Sequence, residues 1–245
     1  MQKPAKPPLK PLSLTITYPC YNEEGNVERV TRKAVEVGRR LAADLEVVVV
    51  NDGSRDRTGE IADRLAAELP EVKVVHNKPN QGYGGALSAG FRAATKNWIF
   101  YTDGDGQFDL NEIADILPLL ETHDMVSCYR LDRKDPFMRK ANAFAWSVLV
   151  NSIFRIGLRD IDCAFKIYPK TFIDDIEMRS KGALIDTEML AKARKRGLKI
   201  AQKGVHHYPR TAGQQTGANL KVIMRAFREL FKLNKHIRSE TGRQS

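Results

Sequence analysis

A chain of 245 residues, 42% of them hydrophobic, can bury one sizeable core and is short for two full-sized domains. Its formal charge of +10 points to an anionic partner, but Lys3, Lys6 and Lys10 supply +3 and residues 221–245 supply +5, which leaves only +2 on residues 11–220. That distribution argues against a nucleic-acid-binding module, three scattered cysteines (Cys20, Cys128, Cys163) argue against a disulfide framework or zinc site, and no apolar run approaches the ~20 residues needed to span a bilayer.

Residues 1–11, with Lys3, Lys6, Lys10 and several prolines, lack the apolar stretch of a signal peptide and are expected to be a disordered basic tail on a cytoplasmic protein. Five β-rich runs follow: Leu14 to Tyr18, Leu45 to Val50, Val72 to Val75, Trp98 to Tyr101 and Met125 to Cys128. Apolar residues at helical spacing fill the intervals. The alternation predicts βαβ units, hence an α/β domain with a mostly parallel central sheet flanked by helices. Ligands of such sheets bind beyond the carboxyl ends of the strands, so the residues after each run are where chemistry is expected.

Those residues are polar and acidic. After the first run comes Pro19-Cys20-Tyr21-Asn22-Glu23-Glu24, in which Tyr21 can stack on a nucleobase and Glu23 can bond a ribose hydroxyl. The same acids can instead favour a helix N-terminus, the better reading for Glu24. The second run ends in Asn51-Asp52-Gly53-Ser54, a turn that sets Asp52 at the sheet edge as an acceptor for base or ribose; a plain turn fits equally well. Asn80-Gln81-Gly82-Tyr83-Gly84-Gly85 opens a helix, and its glycines would let backbone approach a ligand, but neither a P-loop nor a dinucleotide fingerprint is present. The sharpest signal is Asp103-Gly104-Asp105 after the aromatic fourth run. Alternate carboxylates on a tight turn can converge on Mg2+ or Mn2+, with Gln107 adding a carbonyl oxygen; a solvated Asp-Gly turn is the alternative, and an EF-hand is excluded by spacing.

Beyond residue 130 a loop with Arg130, Arg133 and Arg139 leads into an apolar helical stretch from Phe137 to Leu158, uncharged from Ala141 to Phe154 and too short to cross a bilayer. A strand-and-helix region then runs to Val205. A tail helix is expected over 218–236 and a disordered end over 237–245. On a helical wheel Lys221, Arg225, Arg228, Lys232 and Lys235 share one side, and Leu220, Ile223, Phe227, Leu230 and Phe231 lie on the other half. That suits either an anionic membrane surface or packing on the catalytic domain with a solvated basic face.

Taken in order, Tyr21-Asn22-Glu23, Asn51-Asp52-Gly53-Ser54, Asn80 with Gly82 and Gly85, Asp103-Gly104-Asp105-Gly106-Gln107, Asp160-Ile161-Asp162-Cys163-Ala164-Phe165-Lys166 and His206-His207-Tyr208-Pro209-Arg210 resemble glycosyltransferase family 2. Within it they resemble the polyprenyl-phosphate (dolichol-phosphate) sugar synthase branch. The resemblance implies a single nucleotide-diphospho-sugar transferase domain of GT-A type over 12–217. It puts Pro19, Tyr21, Glu23, Asp52, Gly53, Asp103 and Gly104 at the nucleotide, and Asp103, Asp105 and Gln107 at Mg2+ or Mn2+. Arg130, Arg139 and Arg210 are implied to hold phosphate, which an arginine can grip bidentately. The chain departs from the family pattern at Asn51, where many members have Asp, at Ala164, a usual Gly, and in having no long hydrophobic carboxyl-terminal segment.

The implied reaction is inverting transfer of a hexose from a GDP- or UDP-sugar to a polyprenyl phosphate, with Asp105, Asp160, Asp162, Arg139 and Arg210 as the catalytic set. A hydroxyl acceptor would need Asp160 or Asp162 as base, whereas a lipid phosphate is already anionic and needs none. His206 and His207 are candidates for phosphate contact or a packed pair. Peripheral membrane contact is expected, and nucleic acid is not an expected partner.

Overall fold

The computed structural model describes residues 2–131, 137–210 and 229–237, with side chains omitted over 137–145. The chain runs β1 (Ser13–Cys20), α1 (Val27–Leu41), β2 (Asp44–Asn51), α2 (Thr58–Glu68), β3 (Val72–His76), α3 (Gly82–Ala93) and β4 (Trp98–Thr102). After short helical turns that include α4 (Ile113–Ile116) come β5 (Met125–Ser127), β6 (Tyr129–Arg130), α5 (Phe137–Phe154), β7 (Phe165–Pro169), α6 (Lys170–Asp174), α7 (Leu184–Lys195), β8 (Ile200–Ala201) and β9 (Gly204–Val205). All five expected runs are strands.

Seven strands form one sheet in the order β3-β2-β1-β4-β7-β5-β8, and β6 pairs with β9 beside it. The four valines of β2 are all fully buried, because α1 packs over the side carrying Val47 and Val49 while α3 covers Val48 and Val50 through Ala86. A strand buried on both faces reads as a continuous apolar run, which is why β2 shows no alternation.

Register places the chemistry. Cys20 pairs with Asn51 and Asn51 with His76, so β1, β2 and β3 end level, and Tyr21, Asp52 and Asn77 emerge side by side. β7 runs antiparallel to β4, with Thr102 opposite Phe165. The residues leading into β7 therefore reach the same edge as those leaving β4, which brings Asp160 and Asp162 towards Asp103 from 57 and 59 residues further along the sequence.

Two expectations for the ends change. Residues 3–8, expected to be disordered, are stitched to the body: Lys3 pairs with Asp124 at 2.7 Å, Lys6 donates to the Glu121 carbonyl at 3.0 Å, and the Trp98 indole donates to the Pro8 carbonyl at 3.0 Å. Of the tail helix, residues 229–237 are described and helical. Leu230, Leu233 and Ile237 form its buried stripe, while Phe231 is 64% exposed beside exposed Lys232 and Lys235. Phe231 thus faces solvent, contrary to the wheel, because the packed stripe follows positions i, i+3 and i+7 from Leu230. Residues 218–228 and 238–245 lie outside the described residues. No described helix is long and apolar enough to cross a membrane.

Candidate active site

A cleft of about 440 Å³ opens at the carboxyl edge. Of the residues expected at nucleotide, metal or phosphate, it is lined by Pro19, Tyr21, Glu23, Asp52, Asp103, Gly104, Asp105 and Arg210, joined by Asn80, Gly82, Tyr83 and Ala86. Gly53 does not line it. Its φ of +69° is the left-handed turn that glycine favours, and a Cβ there would stand 2.9 Å from the Asn80 nitrogen, so Gly53 shapes the loop carrying Asp52.

Asp52 is 3% exposed, and its Oδ1 accepts from the Asn77 side-chain amide at 2.8 Å and from the Gln81 backbone N–H at 2.9 Å. Among the described residues its Oδ2 has no donor. Across the cleft, Glu23 accepts from the Asn26 amide at 2.7 Å and pairs with Arg210, joining the first and last motifs of the domain. Burial raises the Glu23 carboxyl above its ordinary range, with Asn26 and Arg210 pulling the other way.

Asp103 accepts from the Tyr83 hydroxyl at 2.9 Å. Burial first, and the neighbouring charge of Asp105 second, push its carboxyl up to about 7. Two like charges held in one cleft in this way are what a hard dication would relieve. Among the described residues no third His, Cys, Asp or Glu joins them, and a two-carboxylate set suits Mg2+ or Mn2+, which takes its remaining oxygens from water and phosphate. Gln107, the third expected metal ligand, is engaged elsewhere. Its backbone N–H bonds Asp105 Oδ1 at 3.1 Å, while its side-chain amide donates to the Tyr208 carbonyl at 2.7 Å, held there by the Phe108 to His207 bridge, and it does not line the cleft.

The two acids before β7 separate in role. Asp160 accepts from the Arg130 backbone N–H at 2.9 Å, from Nε at 2.8 Å and from Nη2 at 2.6 Å, so both its oxygens are used on Arg130. That bidentate grip also occupies the guanidinium expected to hold phosphate, and neither residue lines the cleft. Asp162 makes no hydrogen bond among the described residues and is exposed, so solvent tempers the upward push that the enclosing protein and then Asp186 give its carboxyl. Arg133 and the Arg139 side chain lie outside the described residues. His206 contacts Glu112 at 3.0 Å and His207 lies edge-on to Phe108 at 5.0 Å; neither lines the cleft.

Three features escaped sequence reasoning. The glycines opening α3 admit protein and not only ligand: Gly84 N–H bonds the Lys181 carbonyl at 2.9 Å, and a Cβ on Gly84 would meet the Gly182 oxygen at 2.7 Å. Glu188, fully buried, pins that loop by accepting from Ser180 N–H at 2.7 Å and pairs with Lys192 at 2.9 Å. Beneath the site, fully buried Lys166 pairs with Asp186 at 2.7 Å and bonds the Tyr101 hydroxyl at 3.0 Å. Acids at 186 and 188 inside the apolar start of α7 were the available signal, since ions are rarely buried unless paired.

Comparisons with known proteins bear on the family and the fold. The family description "Glycosyl transferase family 2" matches residues 15–176. The chain is 32% identical over 223 residues to glycosyltransferase AglD of Haloferax volcanii, covering 85% of this chain and 35% of that protein. It is 29% identical over 164 residues to an undecaprenyl-phosphate 4-deoxy-4-formamido-L-arabinose transferase of Pseudomonas fluorescens, covering 66% and 48%. The chain thus spans about a third to a half of these relatives. In fold it resembles glucosyl-3-phosphoglycerate synthase from Mycobacterium tuberculosis, solved with Mn2+ and UDP-glucose, with a TM-score of 0.63, 18% identity and coverage of 86% and 74%.

Proposed function

Because this chain belongs to glycosyltransferase family 2, we propose that it transfers a hexose, with inversion, from a UDP-sugar to a polyprenyl phosphate. The carrying observation is that Asp52, Asp103 and Asp105 share one cleft at the carboxyl edge of the sheet. A relative named for transfer to undecaprenyl phosphate supports the acceptor, and a fold neighbour solved with Mn2+ and UDP-glucose supports the donor and the ion.

The state of Asp52 favours uracil over guanine. With Oδ1 already receiving two donors, Oδ2 alone is left, which matches the single imide N–H of uracil; the adjacent N1–H and N2–H of guanine would call on both oxygens. Tyr21, 41% exposed at the cleft wall, offers a face for the base. Glu23, whose two oxygens each take one donor, from Asn26 and Arg210, would accept a ribose hydroxyl through a remaining lone pair.

Asp103 and Asp105 would hold Mg2+ or Mn2+, which when bound neutralises charge on the departing diphosphate. Tyr83 steadies Asp103, and Arg210, which lines the cleft and meets Glu23 through Nη2, would grip phosphate with its other donors. A phosphate acceptor attacks as the anion it already is, so catalysis rests on positioning and charge stabilisation. A hydroxyl acceptor would instead draw on Asp162, exposed and without a hydrogen bond among the described residues, since both Asp160 oxygens are held by Arg130. Peripheral contact with an anionic bilayer is proposed through exposed Phe231, flanked by Lys232 and Lys235.

The test is a panel of radiolabelled UDP- and GDP-hexoses with polyprenyl phosphate and Mn2+ or Mg2+. Label from a UDP-sugar entering the organic phase is the expected result. Label confined to a water-soluble product would favour a soluble hydroxyl acceptor, and label from GDP-sugars alone would refute the Asp52 argument.

A further inference from the structure

A side-chain relay joins the ends of β2 and β3 behind the nucleotide wall of the cleft. Asn51 and His76 are register partners. The Ser54 backbone N–H donates to Asn51 Oδ1 at 3.1 Å, and because a backbone N–H can only donate, this contact fixes the amide with its NH2 towards His76. Asn51 Nδ2 lies 3.0 Å from His76 Nδ1. Nδ1 must therefore accept, and the single proton of the neutral ring sits on Nε2, 2.8 Å from Asp63 Oδ1. Gly59 makes room, since a Cβ there would come within 2.6 Å of Asn51 Nδ2. The relay continues beyond Ser54, whose Oγ accepts from the Asn22 backbone N–H at 3.0 Å, between the cleft residues Tyr21 and Glu23.

We propose that His76, acting through Asn51, is a positioning residue for the nucleotide wall: its neutral Nε2–H form holds the Ser54 and Asn22 turns in place, and its protonation releases them. The proposal rests on the nucleotide reading of the cleft.

A second ring proton on Nδ1 would point at the Asn51 NH2, donor against donor. Rotating the amide satisfies His76 but turns the NH2 onto the Ser54 N–H, so one of the two hydrogen bonds is lost either way. Two groups face the ring among the described residues: Asp63 from α2 at Nε2 and Asn51 from β2 at Nδ1. The His76 side chain is 32% exposed, open to solvent. An aspartate at position 51 would accept from Ser54 and from a protonated ring alike, and so abolish the conflict.

Two measurements on the whole 245-residue chain test this. Nitrogen-detected NMR of the histidine rings is expected to show the Nε2–H form of His76 at pH 7.5, with the Ser54 and Asn22 amide resonances shifting at the same midpoint as the ring on acidification. Calorimetry with UDP and Mn2+ is expected to show affinity falling from pH 7.5 to 5.5 by about threefold to tenfold more in the natural chain than in Asn51→Asp or His76→Gln, the worth of one hydrogen bond. Glu23, Asp103 and Asp162 titrate in all three proteins, so their shared contribution cancels. An Nδ1–H ring at pH 7.5, Ser54 and Asn22 resonances that ignore the ring, or equal pH dependence in all three proteins would each overturn the relay. Absence of UDP binding at any pH would overturn the nucleotide reading instead, and the NMR titration would still decide the relay.

Discussion

A half-buried carboxylic acid set beside a second carboxylate holds its proton more tightly, and Asp103 is pushed up to about 7 by burial first and Asp105 second. A dication binds the deprotonated form, so each ion bound below pH 7 displaces a proton. Mn2+ affinity is therefore expected to rise about tenfold per pH unit up to about pH 7 and to level off above it, as read by calorimetry from pH 5.5 to 8. A flat profile would contradict the shared site. Asp105→Ala removes one ligand and also the second cause of the Asp103 shift. It should cost at least about 10²-fold in kcat/KM with unchanged circular dichroism, and move the remaining pH dependence to lower pH; full activity, or activity in excess chelator, would sink the mechanism. Asp52, Asp103 and Asp105 were legible because a parallel sheet has one binding edge and the sequence shows where its strands end. The partners of these residues were not. Tyr83 on Asp103, Arg130 on Asp160 and Asn77 on Asp52 are tertiary meetings, and local sequence does not encode which side chain arrives from another element.

Among the elements, α3 shows a motif with a second role that its sequence does not display. Its opening glycines permit close approach, and besides lining the cleft at Gly82 they admit the 180–182 backbone, held in place by buried Glu188. A methyl on Gly84 meets main-chain oxygens that cannot swing away, so Gly84→Ala should destabilise the fold by about 1–3 kcal/mol in denaturant unfolding. Gly157, at φ +67° with nothing within 4 Å of its Cβ position, is the control. Its Ala substitution meets backbone strain alone and should cost about 1 kcal/mol. Equal losses would show that the contact with the loop is unimportant. The strands themselves were readable from β-branched and aromatic runs, yet the direction of β7 was not, since Phe165-Lys166-Ile167-Tyr168-Pro169 pairs as well antiparallel as parallel and only the chain path decides.

At the scale of the whole molecule, the first residues act as a strap across three separate elements. Besides the Lys3, Lys6 and Trp98 contacts, Thr171 Oγ1 at the start of α6 donates to the Ala5 carbonyl at 2.5 Å. Lysine and proline content suggested disorder, but an extended segment rich in free carbonyls can satisfy donors that would otherwise be stranded. Deleting residues 2–8 leaves the indole of fully buried Trp98 without its acceptor, and should lower stability by about 1–3 kcal/mol in thermal unfolding. An unchanged midpoint would refute the strap. The reversed β7 bears on how the protein is born. As the ribosome delivers the chain from its amino end, β1 to β4 can assemble while β7, the strand that lies between β4 and β5, is still to be made. Until then Trp98-Ile99-Phe100-Tyr101-Thr102 stands as a bare, sticky margin on a half-finished sheet, open to the wrong neighbour. The nascent chain is most in need of shelter in that interval.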